Sequence, residues 1–143
     1  MSLHDPETQL PTEALFLDRL EQAIHLARRR QNGVALLTLP LLEKPAGIDA
    51  VRTLAERLAA RLRASDSVTS LDGRAFLVLL SEVEDRAAAW AVAEELLLTV
   101  RQPKPTEAGT PPPAFSEDYT LTVFPEDGET ATALWRHMQG EVS

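Results

Sequence analysis

The sequence predicts an α/β fold: a single domain with a central mixed sheet, an antiparallel hairpin embedded in it, and helices on both faces. Three observations carry this. Stretches with apolar residues at helical spacing alternate with short apolar runs. Two of those runs, Val34 to Leu39 and Phe76 to Leu80, are apolar on both faces, as strands covered from either side are. Asp72-Gly73 separates Ser67 to Leu71 from Ala75 to Leu80, and Asp-Gly is the signature of a two-residue hairpin, because both central residues of a type I′ turn need positive φ.

In order along the chain, Leu17, Leu20, Ile24 and Ala27 follow Pro11-Thr12, whose threonine hydroxyl can cap free amides, and predict a first helix from about Thr12 to Arg30. Asn32-Gly33 ends it and the first strand follows. Val51, Leu54, Leu58 and Leu62 mark a second helix with Asp49 as its cap. The hairpin comes next, with Phe76, Val78 and Leu80 on one face of its second arm and Leu77 and Leu79 on the other. A third helix starts near Glu84, with Ala88, Val92, Leu96 and Val100 as its stripe, and Pro103 stops it. Residues 103 to 114 hold five prolines and no periodicity, which predicts a mobile connection. Tyr119 to Phe124 is the last strand, Pro125 to Gly128 a turn, and Thr130 to Gln139 a short final helix.

At 143 residues the chain makes one domain, residues 1 to 143, and its net charge of −8 argues against a nucleic-acid surface. Its basic cluster, Arg28-Arg29-Arg30, closes a helix where cations suit the dipole. Without cysteine there is no disulfide framework and no thiolate metal site. His4, His25 and His137 are isolated and the glycines dispersed, so neither a metal site, a phosphate loop nor a cofactor is expected. Glu82, Glu84 and Asp85 read as acids at a helix start, and Trp90 and Trp135 as core. No signal peptide and no bilayer-length apolar run is visible, which predicts a soluble, cytoplasmic protein without a membrane partner. The linker-like start and clipped final helix would suit a fragment of a longer chain.

Five words in order then stand out: His4-Asp5-Pro6-Glu7-Thr8-Gln9-Leu10-Pro11-Thr12, Ala14-Leu15-Phe16-Leu17-Asp18-Arg19-Leu20, Arg63-Ala64-Ser65-Asp66, Asp72-Gly73-Arg74-Ala75-Phe76, and Phe124-Pro125-Glu126-Asp127-Gly128. Together they resemble the GGDEF domain of diguanylate cyclases over nearly the whole chain. The resemblance implies that Asp72, Gly73, Arg74, Ala75 and Phe76 occupy the signature turn, in degenerate form, and that Arg63 and Asp66 stand at the product-binding Arg-x-x-Asp. Such cyclases bring two GTP-loaded domains together around divalent metals held by carboxylates of the first strand and the turn. Here Pro40, or with slippage Leu42, and Arg74 and Ala75 take those places, and none of these can bind a hard cation. The link Leu41 to Gly47 is also shorter than the family's guanine loop.

The expected function is therefore a catalytically inactive GGDEF-like regulatory or interaction module in cyclic di-GMP signalling, not an enzyme. Its implied partners are cyclic di-GMP at Arg63 and Asp66, a protein or attached sensor or phosphodiesterase domain, or a second copy in a homodimer. An arginine fork can donate to guanine O6 and N7 while a carboxylate accepts from the same base. The plain structural alternative is a local ion pair at i, i+3. The alternative function is a purine-nucleotide or GTP-binding domain, or residual nucleotide enzyme, that uses the old cleft with Arg74 on phosphate.

Overall fold

A computed structural model describes residues 4–6, 8–42, 47–101 and 115–142. The elements are α1 (Glu13–Arg30), β1 (Gly33–Pro40), α2 (Ile48–Ala59), β2 (Ser67–Leu71), β3 (Ala75–Val83), α3 (Arg86–Arg101), β4 (Thr120–Phe124) and α4 (Ala131–Val142). The proline-rich connection expected over 103 to 114 lies outside the described residues, as do residues 43 to 46 of the link after β1.

The strand order is β2-β3-β1-β4. Helices α1 and α4 cover one face, closing over Phe16, Leu20, Leu36, Leu77, Leu79 and Leu134. Helices α2 and α3 cover the other, over Leu37, Leu39, Leu58, Phe76, Val78 and Leu96. Both doubly apolar strands are thus buried twice, and β3 divides its side chains between the faces as its alternation predicts. One feature of the expected sheet is corrected: its ladders are antiparallel throughout rather than mixed. The crossover through α2 does set β2 parallel to β1, but β3 folds back between them, so the two parallel strands never touch.

Helix α1 begins as expected, with the Leu15 N–H donating to the Thr12 hydroxyl at 3.3 Å. It ends at Arg30 as expected, with Gln31 as its cap in the left-handed region at φ 56°. Helix α2 is capped at Gly47 without a side-chain bond, and Asp49 lies in its first turn instead. Helix α3 is rotated from the expected stripe, burying Ala89, Ala93, Leu96 and Leu97, while Val92 is 41% exposed. The Asp85 carboxylate caps it through the Ala88 N–H at 2.8 Å. Gly33 is required by close approach. A Cβ there would sit 2.8 Å from the Phe124 carbonyl and 3.2 Å from that of Val83, where β1 enters between its two neighbours.

The first residue of α3 and the turn after β4 are clasped together. Arg86 donates to Asp127 at 2.8 Å and to Glu126 at 3.0 Å, and Asp127 also accepts from the Val123 amide at 2.8 Å. Burial opposes ionisation of Asp127, but the amide and the guanidinium outweigh it and hold the carboxyl below the usual carboxylate range. The hydrogen bond to Asp127 correspondingly raises Arg86.

Candidate functional site

Two places gather the residues singled out in the sequence, one at each end of the β2–β3 hairpin. At the turn end, Asp72 (φ 54°) and Gly73 (φ 71°) are both left-handed, and the Arg74 N–H donates to the Leu71 carbonyl at 3.0 Å. Pairing resumes at Leu71↔Ala75, so Arg74 is one residue more than a two-residue hairpin holds. Its carbonyl accepts from the Leu41 N–H at 2.9 Å, which ties the turn to the end of β1.

The register of β1 against β3 places Pro40 directly across from Ala75 and Leu39 across from Phe76. Leu42 lies beyond the strand and is 64% exposed, so Pro40 is the first-strand residue that meets the turn. Phe115 and Ser116 close the same end: Ser116 donates to the Pro40 carbonyl at 2.8 Å, Phe115 bridges Leu41, and its ring packs edge-on against Phe76 at 6.2 Å. No sequence motif announced this cover, because the contact joins residues far apart in the chain. Beside the turn, a groove of about 430 Å³ has Asp5, Glu13 and Asp72 on its walls with Thr12, Thr69 and Ser70.

At the other end stand Arg63 and Asp66, after α2 has finished at Ala59. Here β3 bulges: Ser81 and Glu82 together face Val34, and Glu82 takes φ 53°. Asp66 serves this bulge. Its Oδ1 accepts from the Ser81 amide at 2.9 Å and the Ser81 hydroxyl at 3.2 Å, and its Oδ2 from the Arg63 amide at 3.0 Å. The Arg63 guanidinium donates to both carboxylate oxygens, at 3.3 and 3.4 Å, and to the Ser81 carbonyl. Both backbone groups of Ser81 are thereby satisfied just where β2 has not yet begun. The Asp66 side chain is 4% exposed, whereas that of Arg63 is 55% exposed. The local i, i+3 pairing is present, and Ser81 is the partner that motif spacing could not name.

Among the described residues no three histidine, aspartate or glutamate side chains converge to hold a metal ion. None of the described helices is long and apolar enough to cross a membrane.

No family model matches the chain. It is 34% identical over 143 residues to the bifunctional diguanylate cyclase/cyclic di-GMP phosphodiesterase MucR of Pseudomonas aeruginosa, covering 94% of this chain and 20% of that protein. It is 29% identical over 142 residues to the diguanylate cyclase TpbB of the same organism, covering 92% of this chain and 32% of TpbB. The chain thus spans less than a third of either relative. Among solved structures, an EAL/GGDEF domain protein from M. capsulatus is 30% identical, with 91% of this chain and 88% of that one covered and a TM-score of 0.64. The isolated GGDEF domain of TpbB is 26% identical, with 96% and 85% covered and a TM-score of 0.79.

Proposed function

This chain belongs to the GGDEF domain family, and we propose that it is a member without cyclase activity, a regulatory and interaction module in cyclic di-GMP signalling. The observation that carries the reading is the pairing of Pro40 with Ala75. In cyclases resembling this chain, those two neighbouring positions supply carboxylates to divalent metals, which take oxygen ligands. The residues present do not fit such a cation: a proline and an alanine face each other, and Arg74 brings a positive charge into the turn. Phe115 and Ser116 fill the end of β1 besides.

The alternative of a purine nucleotide in the old cleft is supported less well, because the groove beside Gly73 presents Asp5, Glu13 and Asp72 to a ligand that carries its own negative charges. Sensing of cyclic di-GMP would assign Arg63 and Asp66 to guanine. The geometry favours the version of the module that acts through protein contacts, since the Asp66 oxygens already accept five hydrogen bonds within the fold. MucR unites a cyclase and a phosphodiesterase in one longer protein. A domain of the present kind would act beside such a catalytic or sensory unit, in the same chain or another.

Calorimetric titration with GTP plus Mg²⁺, and separately with cyclic di-GMP, tests the reading. Neither is expected to release or absorb binding heat at submillimolar ligand. Saturable GTP binding would overturn it in favour of the nucleotide cleft. Saturable dinucleotide binding that is lost in Arg63→Ala would replace the contact version by the sensing one.

A further inference from the structure

We propose that the sheet face covered by α1 and α4 holds an internal water, bound by the hydroxyls of Thr38, Thr120 and Thr122. Strand alternation places these three threonines on the side of β1 and β4 that carries Leu36 and Phe124, which is the side those two helices close over. Thr38 and Thr122 are 0% and 1% exposed. All three hydroxyl oxygens are buried, and none has a hydrogen-bond partner among the described residues. The core side chains on this face, Leu36, Leu77, Phe124, Leu134 and Met138 among them, have no group that could donate or accept such a bond. A hydroxyl buried without a partner forfeits the bonds it makes to water in the unfolded chain, so native folds satisfy such groups with protein or with ordered water.

The register sets the size of the ligand. Thr38 is the direct cross-strand partner of Thr120, and Thr122 stands across from Leu36, one repeat of the pleat away. Side chains directly opposite on one face start about 4.5–5.5 Å apart at Cβ, close enough for a threonine pair to bond directly. Thr38 and Thr120 make no such bond. Two hydrogen bonds of about 2.8 Å meeting at a bent oxygen span about 4.5 Å, which is the reach of one water between two hydroxyls. The third hydroxyl, on Thr122, completes the roughly three bonds that a buried water makes. A hard cation calls for about six oxygens with carboxylates among them, whereas three neutral hydroxyls suit water. A larger ligand finds no room on a face closed by Phe16, Leu20 and Leu134, all fully buried. Thr120 itself is partly exposed, so the site reaches toward solvent at the start of β4.

Thr38→Val and Thr122→Val keep the branched shape and remove one hydroxyl each. Oxygen-17 magnetic relaxation dispersion counts the waters held for longer than the protein takes to tumble, and urea denaturation followed by tryptophan fluorescence reads stability. Each variant should lose about one long-lived water relative to the parent and should unfold more readily, with the unfolding constant raised about fivefold, the effect of taking one partner from a buried hydrogen-bonded group. Thr132→Val, at an exposed position of α4, is the control and should change neither reading. Valine variants as stable as the parent or more so would overturn the proposal, because an apolar group of the same shape costs nothing where the hydroxyl had no partner. A loss of stability with the water count unchanged would overturn it as well, since the hydroxyl would then bond to protein. So would slower hydrogen exchange of α4 in the valine variants, the sign of hydroxyls that meet water only when the helix lifts.

Discussion

Replacing Asp66 by alanine distinguishes a carboxylate that builds the fold from one that waits for a ligand. The side chain is 4% exposed and accepts the Ser81 amide, the Ser81 hydroxyl and the Arg63 amide. Ser81 is itself buried at 2%, so its amide finds no water once the carboxylate is gone. A buried donor left unsatisfied costs roughly 1–3 kcal/mol, and bonds to an ionised acceptor lie toward the top of that range. Arg63 is half exposed and can rehydrate, so we assign most of the loss to Ser81 and expect about 2–3 kcal/mol in all. Against a typical domain stability of about 5–15 kcal/mol that is a large fraction. With a urea slope of about 1–3 kcal/mol per molar, the unfolding midpoint should fall by roughly 1–2 M, followed through Trp90 and Trp135 fluorescence. Asp66→Asn should fall between, since its carbonyl can still accept from Ser81 while its amide group opposes the Arg63 N–H. A loss under about 0.5 kcal/mol for Asp66→Ala would refute the reasoning, because only a carboxylate without structural duties is removed so cheaply.

Two other substitutions probe the frame around the site. Gly33→Ala forces a Cβ to within 2.8 Å of a backbone carbonyl on one neighbour strand and 3.2 Å of one on the other, and should cost about 2 kcal/mol or more in chemical denaturation. Asp127→Asn weakens the clasp to Arg86 and Val123 and should be less stable than the parent by about 1–3 kcal/mol at neutral pH. Because folding lowers the Asp127 pKa, its contribution is fully present above the unfolded carboxylate value of about 4 and is lost as the pH falls through the folded one. The gap between parent and variant should therefore persist from neutral pH to about pH 5 and close below about pH 4. A gap that fails to close below about pH 4 would contradict the assigned direction of the shift.

What could be read in advance was what strong local chemistry encodes. Two runs apolar on both faces gave the central strands, Thr12 gave the start of α1, and Asp72-Gly73 gave the left-handed turn. The additional turn residue was not legible, because the hydrogen bond from Leu41 to the Arg74 carbonyl is set by a strand elsewhere in the chain. Nor was the orientation of α3. Its alanines and leucines surround the helix with too little polar contrast to choose between the stripe through Ala88 and Val92 and the one through Ala89 and Ala93. The antiparallel sheet escaped because helical crossovers usually signal parallel neighbours, and only the insertion of β3 between β1 and β2 prevents that here. At the candidate site the spacing of Arg63 and Asp66 was visible, but their shared partner was not. Ser81 stands eighteen residues from Arg63, beside Glu82, whose positive φ no glycine or asparagine announces.

The proposal that no divalent cation is held where Pro40 faces Ala75 is most directly tested by product formation. The purified domain, at concentrations high enough to populate dimers, is incubated with GTP and either Mg²⁺ or Mn²⁺, and cyclic di-GMP is sought by chromatography beside TpbB as the working cyclase. No product above a heat-killed control is predicted with either metal. Cyclic di-GMP accumulating with time and with the square of domain concentration would contradict the proposal that this GGDEF domain has no cyclase activity.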